Sequence, residues 1–159
     1  MYYTTYLSPM GEIALVANDD GLTALAFQAG KAAIKKQAQW QEEPEKFQEV
    51  VKQLKEYFIG TRVEFDVPLA PTGTPFQKSV WQALCNIKQG ETYTYSDIAT
   101  AINNPKAVRA VGTANGANPI ALIVPCHRVI GSNGKLTGYA GGLGLKSKLL
   151  MHEGAHFSV

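Results

Sequence analysis

The chain has 159 residues, enough for one domain or two small ones sharing a core, and its 45% apolar and 18% charged residues give an ordinary globular balance. No apolar run reaches the roughly eighteen residues of a membrane span, and Met1-Tyr2-Tyr3-Thr4-Thr5 lacks the basic start and apolar middle of a signal peptide, so a cytoplasmic protein with no membrane partner is expected. The net charge of +2 is unevenly placed: residues 1–70 carry seven Lys/Arg against ten Asp/Glu and residues 71–159 carry eight against three, a basic half that suits either a nucleic acid or an ordinary solvated surface.

In chain order, Tyr2–Leu7, Glu12–Ala17 and Leu22–Phe27 are β-prone runs. Ser8-Pro9-Met10-Gly11 and Asp19-Asp20-Gly21 separate them with turn chemistry, so a meander of hairpins is expected. Phe47, Val50, Val51, Leu54, Tyr57 and Phe58 recur at helical spacing, with Gly60 as the C-cap. Phe65 and Val67 alternate with Glu64 and Asp66, which reads as one more short strand. Pro68, Pro71, Gly73 and Pro75 then mark a linker, dividing the chain into an N-terminal domain over 1–70 and a C-terminal domain over 74–159.

Thr74-Pro75-Phe76-Gln77 opens a helix with an N-cap, a proline at the first position and a glutamine three residues on. Phe76, Val80, Trp81, Leu84 and Ile87 form its apolar stripe, and Cys85 beside them reads as a small packed hydrophobe. Thr94-Tyr95-Ser96-Asp97 has capping-box spacing ahead of Ile98, Ala99 and Ile102. After Asn103, Asn104 can cap and Pro105 can begin a second helix, with Ala107, Val108, Val111 and Ala114 inward and Lys106, Arg109 and Thr113 outward. Two short helices joined tightly, the second basic, form a helix-turn-helix pattern, which also occurs in proteins that never meet DNA.

Ile120–Val124 reads as a buried extended segment that delivers Pro125-Cys126-His127-Arg128. Asn133-Gly134 makes a tight turn, Gly138–Gly142 a flexible loop, and Leu143–Met151 a last helix ending at Glu153-Gly154. In a reducing compartment Cys85 and Cys126 are two free thiols, and neither has metal-ligand spacing to a histidine, so no zinc or other metal is expected. Thiolate is the nucleophilic form, and a histidine base with nearby cations increases its population. Cys126-His127-Arg128 can therefore be a nucleophile with its base, or a cysteine packed in a core. Glu153 can fix the His127 tautomer, or be a charge at a helix end. Gly144-Leu145-Lys146-Ser147 lacks phosphate-loop spacing and is set aside.

Pro125-Cys126-His127-Arg128-Val129-Ile130 resembles the active-site signature of the O6-alkylguanine-DNA alkyltransferases. Thr74-Pro75-Phe76-Gln77, Tyr93-Thr94-Tyr95, Asn104–Gly112, Ala117-Asn118-Pro119 and His152-Glu153-Gly154 follow in that family's order and spacing. The resemblance is close over residues 74–154 and looser over the N-terminal meander. It implies an α/β N-terminal domain, a ribonuclease-H-like meander plus helix, and a mainly α, winged-helix-like C-terminal domain carrying the helix-turn-helix.

It further implies direct-reversal DNA repair: one transfer of an alkyl group from O6-alkylguanine, with O4-alkylthymine as a second candidate, to Cys126 of a monomer that needs no cofactor. The partner is double-stranded DNA, entered from the minor groove with the damaged base flipped out. His127 would take the thiol proton through a water and Glu153 would hold the imidazole. Tyr95 would donate to a ring nitrogen of the base, and the carbonyls of Cys126 and Val129 would accept from its exocyclic amine. Asn118 would tie the recognition helix to the active-site segment, and Arg109 would fill the gap in the stack. Lys106, Thr113 and Arg128 join Arg109 as DNA contacts, and Tyr139 and Ala140 line the substrate. Ala140 stands where some members have serine, leaving a backbone N–H but no hydroxyl for the alkylated oxygen. A lesion-binding module without an acceptor, a cysteine hydrolase and a plain regulator are the competing readings; Cys126 itself argues against the first.

Overall fold

The structure is a computed structural model and describes residues 1–158. Its N-terminal part is rich in sheet. Strand β1 (Tyr2–Ser8) forms a hairpin with β2 (Gly11–Ala17), Tyr2 opposite Ala17 and Ser8 opposite Gly11, and β2 pairs antiparallel with β3 (Leu22–Phe27). A two-residue strand β4 (Gln41–Glu42) lies parallel to β1, giving the order β3-β2-β1-β4. In the central strand β2, Ile13, Ala14, Leu15, Val16 and Ala17 are all buried. Helix α1 (Gln48–Ile59) follows a short 3-10 turn and ends on Gly60, whose φ of 89° suits a residue without a Cβ.

Phe65-Asp66-Val67 is not a strand. The Gln53 side chain bonds both the N–H and the carbonyl of Asp66, at 2.8 and 3.0 Å, and so takes the place of a neighbouring strand. The edge of β3 pairs a little further on, through Leu22 N–H to the Pro68 carbonyl (2.9 Å) and Ala70 N–H to the Leu22 carbonyl (2.8 Å). Gly21 permits that approach, since a Cβ there would lie 2.6 Å from the Pro68 oxygen.

The C-terminal part is helical. Helices α2 (Pro75–Leu84) and α3 (Tyr95–Ala101) each begin with a full capping box, from Thr74 with Gln77 and from Thr94 with Asp97. Strand β5 (Tyr93–Thr94) pairs parallel with β6 (Val129–Ile130), and α5 (Leu143–His152) closes the chain. Helix α4 (Val108–Gly116) begins later than the Pro105 start expected from the sequence. Asn103 takes φ 59°, Ala107 N–H closes a separate turn onto the Asn104 carbonyl, and Ala107 itself is non-helical at φ −88°, ψ 26°, so no side chain caps α4. Cys85 is exposed and not packed as expected: Leu84 holds the inward position and one residue further round a helix points about 100° away.

One contiguous core joins the two parts. The free edge of β3 reaches across, with Leu25 N–H to the Pro119 carbonyl (2.9 Å) and Ala121 N–H to the Leu25 carbonyl (3.1 Å). Ile120–Val124 is nearly all buried but is curled rather than extended, with Leu122 at φ 71°. The Asn118 side-chain amide bonds the carbonyls of both Ile120 (3.3 Å) and Val124 (2.8 Å), which a straight segment would hold too far apart.

Candidate active site

That curl carries Cys126 into a 3-10 turn, Cys126–Arg128, at the wall of a cavity of ≈ 770 Å³. Tyr95, Gly112, Asn115, Asn118, Cys126 and Tyr139 face this cavity from the C-terminal part. Lys31 and Ile34 close it from the N-terminal part, where Lys31 N–H bonds the Ala140 carbonyl at 2.8 Å. Cys126 is 6% exposed and His127 fully buried. The Tyr95 ring lies against α4 at Gly112, where an added Cβ would meet it at 3.8 Å, an ordinary van der Waals contact.

The sequence-predicted trio comes together. His127 Nε2 lies 2.8 Å from Glu153 Oε2, and Glu153 sits at the C-cap of α5. Glu153 also accepts from Arg128 Nε (2.8 Å), Arg128 Nη2 (3.1 Å) and the Tyr57 hydroxyl (2.6 Å). Arg128 is thereby withdrawn from the surface: it is buried, and its remaining nitrogen donates to the Ile87 carbonyl at 2.6 Å. The expectation that Arg128 meets DNA is corrected on that ground. A fork-shaped cation paired with a buried carboxylate is held inward by it, and at 6% exposure Arg128 presents almost no surface to a partner outside.

Charge states follow from this packing. Burial pushes the Cys126 thiol up, more than an Asn118 hydrogen bond and the Lys146 charge pull it down. Burial lowers His127 further than its contact with Glu153 raises it. Burial alone would raise Glu153, but hydrogen bonds from His127 and Arg128 and the Arg128 charge hold it well below the usual carboxylate range. The resting site is therefore a thiol, a neutral imidazole and a carboxylate. This differs from the sequence-based expectation that nearby cations populate the thiolate, because Arg128 is spent on Glu153. A neutral imidazole is the form able to accept a proton, and His127 Nδ1 is buried with no protein partner.

The remaining expected residues fall around this centre. Tyr95 Oη contacts Thr137 Oγ1. Asn118 links the segment after α4 to Val124, just ahead of the cysteine. Tyr139 packs edge-on against the His127 ring, centroids 6.5 Å apart. The Val129 carbonyl already accepts from Lys146 Nζ at 2.7 Å, which leaves one of its two lone pairs. Lys106, Arg109 and Thr113 are exposed on and before α4, with α4 anchored from behind by Trp81 Nε1 to the Ala114 carbonyl at 2.9 Å.

Three residues of the site were missed in the sequence. Lys146 is fully buried, with its pKa lowered by burial to about 8. Tyr57 reads as one more apolar helix position, and Asn115, whose Nδ2 is 3.5 Å from the Cys126 carbonyl, as a helix-end polar residue. A lysine between Leu145 and Ser147, followed by Leu149 and Leu150, could have marked an inward cation.

Sequence models of the 6-O-methylguanine DNA methyltransferase family match nearly the whole chain, its ribonuclease-like domain over residues 1–71 and its DNA binding domain over 75–155. A methylated-DNA–protein-cysteine methyltransferase of Methanosarcina acetivorans is 56% identical over 155 residues, covering 98% of this chain and 99% of that one. Mycobacterium tuberculosis OGT, solved in complex with DNA, superposes with a TM-score of 0.90 at 48% identity, covering 96% of this chain and 93% of that one. The O6-methylguanine-DNA methyltransferase of Pyrococcus kodakaraensis superposes at 0.67 with 26% identity, covering 96% and 98%. The chain belongs to the 6-O-methylguanine DNA methyltransferase family.

Proposed function

We propose that this protein repairs alkylated DNA by direct reversal, moving the alkyl group of O6-alkylguanine onto Cys126. The observation that carries the reading is a buried thiol beside a neutral His127 held by Glu153, set in a cavity walled by the helix that carries Arg109. His127 Nδ1 is the free nitrogen for the thiol proton, received through a water. As it leaves, the sulfur–carbon bond forms in line with the breaking carbon–oxygen bond, and guanine departs as an anion. Tyr95 donates to a ring nitrogen of that anion. The carbonyls of Cys126 and Val129 accept from the exocyclic amine, and a backbone N–H at Tyr139 or Ala140 meets the oxygen.

The alkylated oxygen lies inside a duplex, so the nucleotide must leave the stack. Lys106, Arg109 and Thr113 face the DNA, with Arg109 filling the gap and α4 entering the minor groove; M. tuberculosis OGT, which this chain resembles, is solved in complex with DNA. Asn118 keeps α4 in register with Cys126. We read residues 1–70 as a ribonuclease-H-like domain and 74–159 as a winged-helix-like DNA-binding domain. We read the protein as cytoplasmic, since a reactive free thiol and a DNA substrate suit a reducing, DNA-containing compartment. The test is transfer of labelled methyl from O6-methylguanine duplex DNA to the protein. Label is expected on wild type and absent on Cys126→Ala; label retained by that variant would refute the assignment.

A further inference from the structure

Tyr95 does not face the cavity alone. Its hydroxyl touches the Thr137 hydroxyl, and Lys146 Nζ lies behind Thr137, 3.4 Å from the same oxygen. The lysine also donates to the Val129 carbonyl (2.7 Å) and the Thr137 carbonyl (3.2 Å), so its three hydrogens meet three acceptors. The lysine is fully buried and cannot exchange these partners for solvent.

What each group can do limits the direction of the chain. An ammonium only donates, so Thr137 Oγ1 accepts from Lys146. A hydroxyl has one hydrogen and two lone pairs, and either oxygen of the Thr137–Tyr95 contact can donate; the arrangement that leaves the Tyr95 hydrogen for the cavity is the one in which Thr137 donates to Tyr95 Oη. With its oxygen accepting, Tyr95 has its own hydrogen free for the cavity.

We propose that Thr137 is a positioning residue for alkyl transfer, turned by Lys146 so that it donates to Tyr95 and commits the tyrosine hydroxyl to donating toward the base. Without Thr137, the tyrosine hydroxyl rotates freely and presents a lone pair to the base as readily as a hydrogen. No proton leaves Lys146 or Thr137; the chain orients and polarises, and the departing guanine gains a stronger hydrogen bond as its charge grows. The same lysine fixes the Val129 carbonyl, so one buried cation holds a donor and an acceptor for the base in register.

This rests on the transfer reaction proposed above. The experiment is single-turnover transfer from O6-methylguanine duplex DNA, with maximal rate and half-saturating concentration measured separately, on wild type, Thr137→Val, Thr137→Ser, Tyr95→Phe and the Thr137→Val/Tyr95→Phe double variant. Valine keeps the shape and removes the hydroxyl, and thermal unfolding of each variant reports whether it folds. Thr137→Val is expected to lower the maximal rate about tenfold, the scale of one ordinary hydrogen bond, at unchanged half-saturation. Thr137→Ser should recover the rate to within about twofold of wild type, and the double variant should match Tyr95→Phe alone. A Thr137→Val rate equal to wild type, a serine variant as slow as valine, or multiplying losses in the double variant would overturn the relay while leaving the transfer reading intact. Absence of transfer by wild type would overturn both.

Discussion

The Tyr57 hydroxyl on α1 donates to Glu153 Oε2 at 2.6 Å, across 96 positions of sequence. The same oxygen holds His127 Nε2 at 2.8 Å, so a residue of the N-terminal part helps to position His127 in a site built in the C-terminal part. His152, beside Glu153, repeats the link through its Nε2 and the Tyr57 carbonyl, 2.8 Å apart. The N-terminal part thus supports the Glu153 carboxylate and also forms a wall of the cavity.

Tyr57→Phe keeps the ring packing and removes one charge-assisted hydrogen bond, of about 1.5–3 kcal/mol. A stability loss of that order is expected in urea unfolding, with a moderate slowing of transfer as the carboxylate loosens. Unchanged stability would show that the bond contributes nothing net.

Arg128→Met is expected to act on the fold and not on DNA affinity. Removing one partner of a buried ion pair costs about 3–5 kcal/mol, and Arg128 is buried against Glu153 and the Ile87 carbonyl, away from where a phosphate would lie. Comparing its unfolding midpoint with its affinity for undamaged duplex separates the two roles. Weakened binding at wild-type stability would return Arg128 to the DNA surface.

Stability should fall in acid in two stages. Burial lowers His127 in the folded state below its ordinary 6.5, and the charges around Glu153 hold it at about 2 against an ordinary 4.5. A group lowered on folding contributes stability that is complete above its unfolded value and is lost as pH falls through the folded one. The first loss therefore begins below about pH 6.5 and the second between about pH 4.5 and 2. Urea midpoints followed from pH 8 down to 3 should decline, with the first stage absent in His127→Gln. A midpoint independent of pH over that range would mean that neither group is perturbed.

Arg109 should separate flipping from chemistry. Arg109→Ala should slow repair in duplex DNA far more than reaction with the free alkylated base, because only the duplex has a stack to hold open, at a cost of a few kcal/mol. Both are to be compared at saturating protein, so that weaker binding does not imitate slower flipping. Equal loss on both substrates would remove the wedge role.

What was legible in the sequence was local. Strands β1 to β3, both capping boxes and the Gly60 cap depend on residues within a few positions of one another, and their spacing shows it. Cys126, His127 and Glu153 were legible because the motifs around them resemble a known family. The misreadings involve distant partners. Phe65–Val67 alternates like a strand but finds Gln53 in place of a neighbour. Ile120–Val124 has the composition of a buried strand, yet Asn118 curls it. Arg128 looked like a surface cation because nothing in its neighbourhood of sequence announces Glu153. Tyr57 and Lys146 have the same explanation: an apolar stripe and an amphipathic helix do not reveal which members carry a polar tip to a distant site.

The central claim is that Cys126 accepts the alkyl group and keeps it. Intact mass of the protein, titrated with O6-methylguanine duplex DNA and followed by peptide mapping, tests it most directly. A thioether has no easy leaving route, so each molecule should gain one methyl group, on the Cys126 peptide with Cys85 bare, and stop. Sustained turnover, an unchanged mass, or methylation mainly at Cys85 would contradict the account.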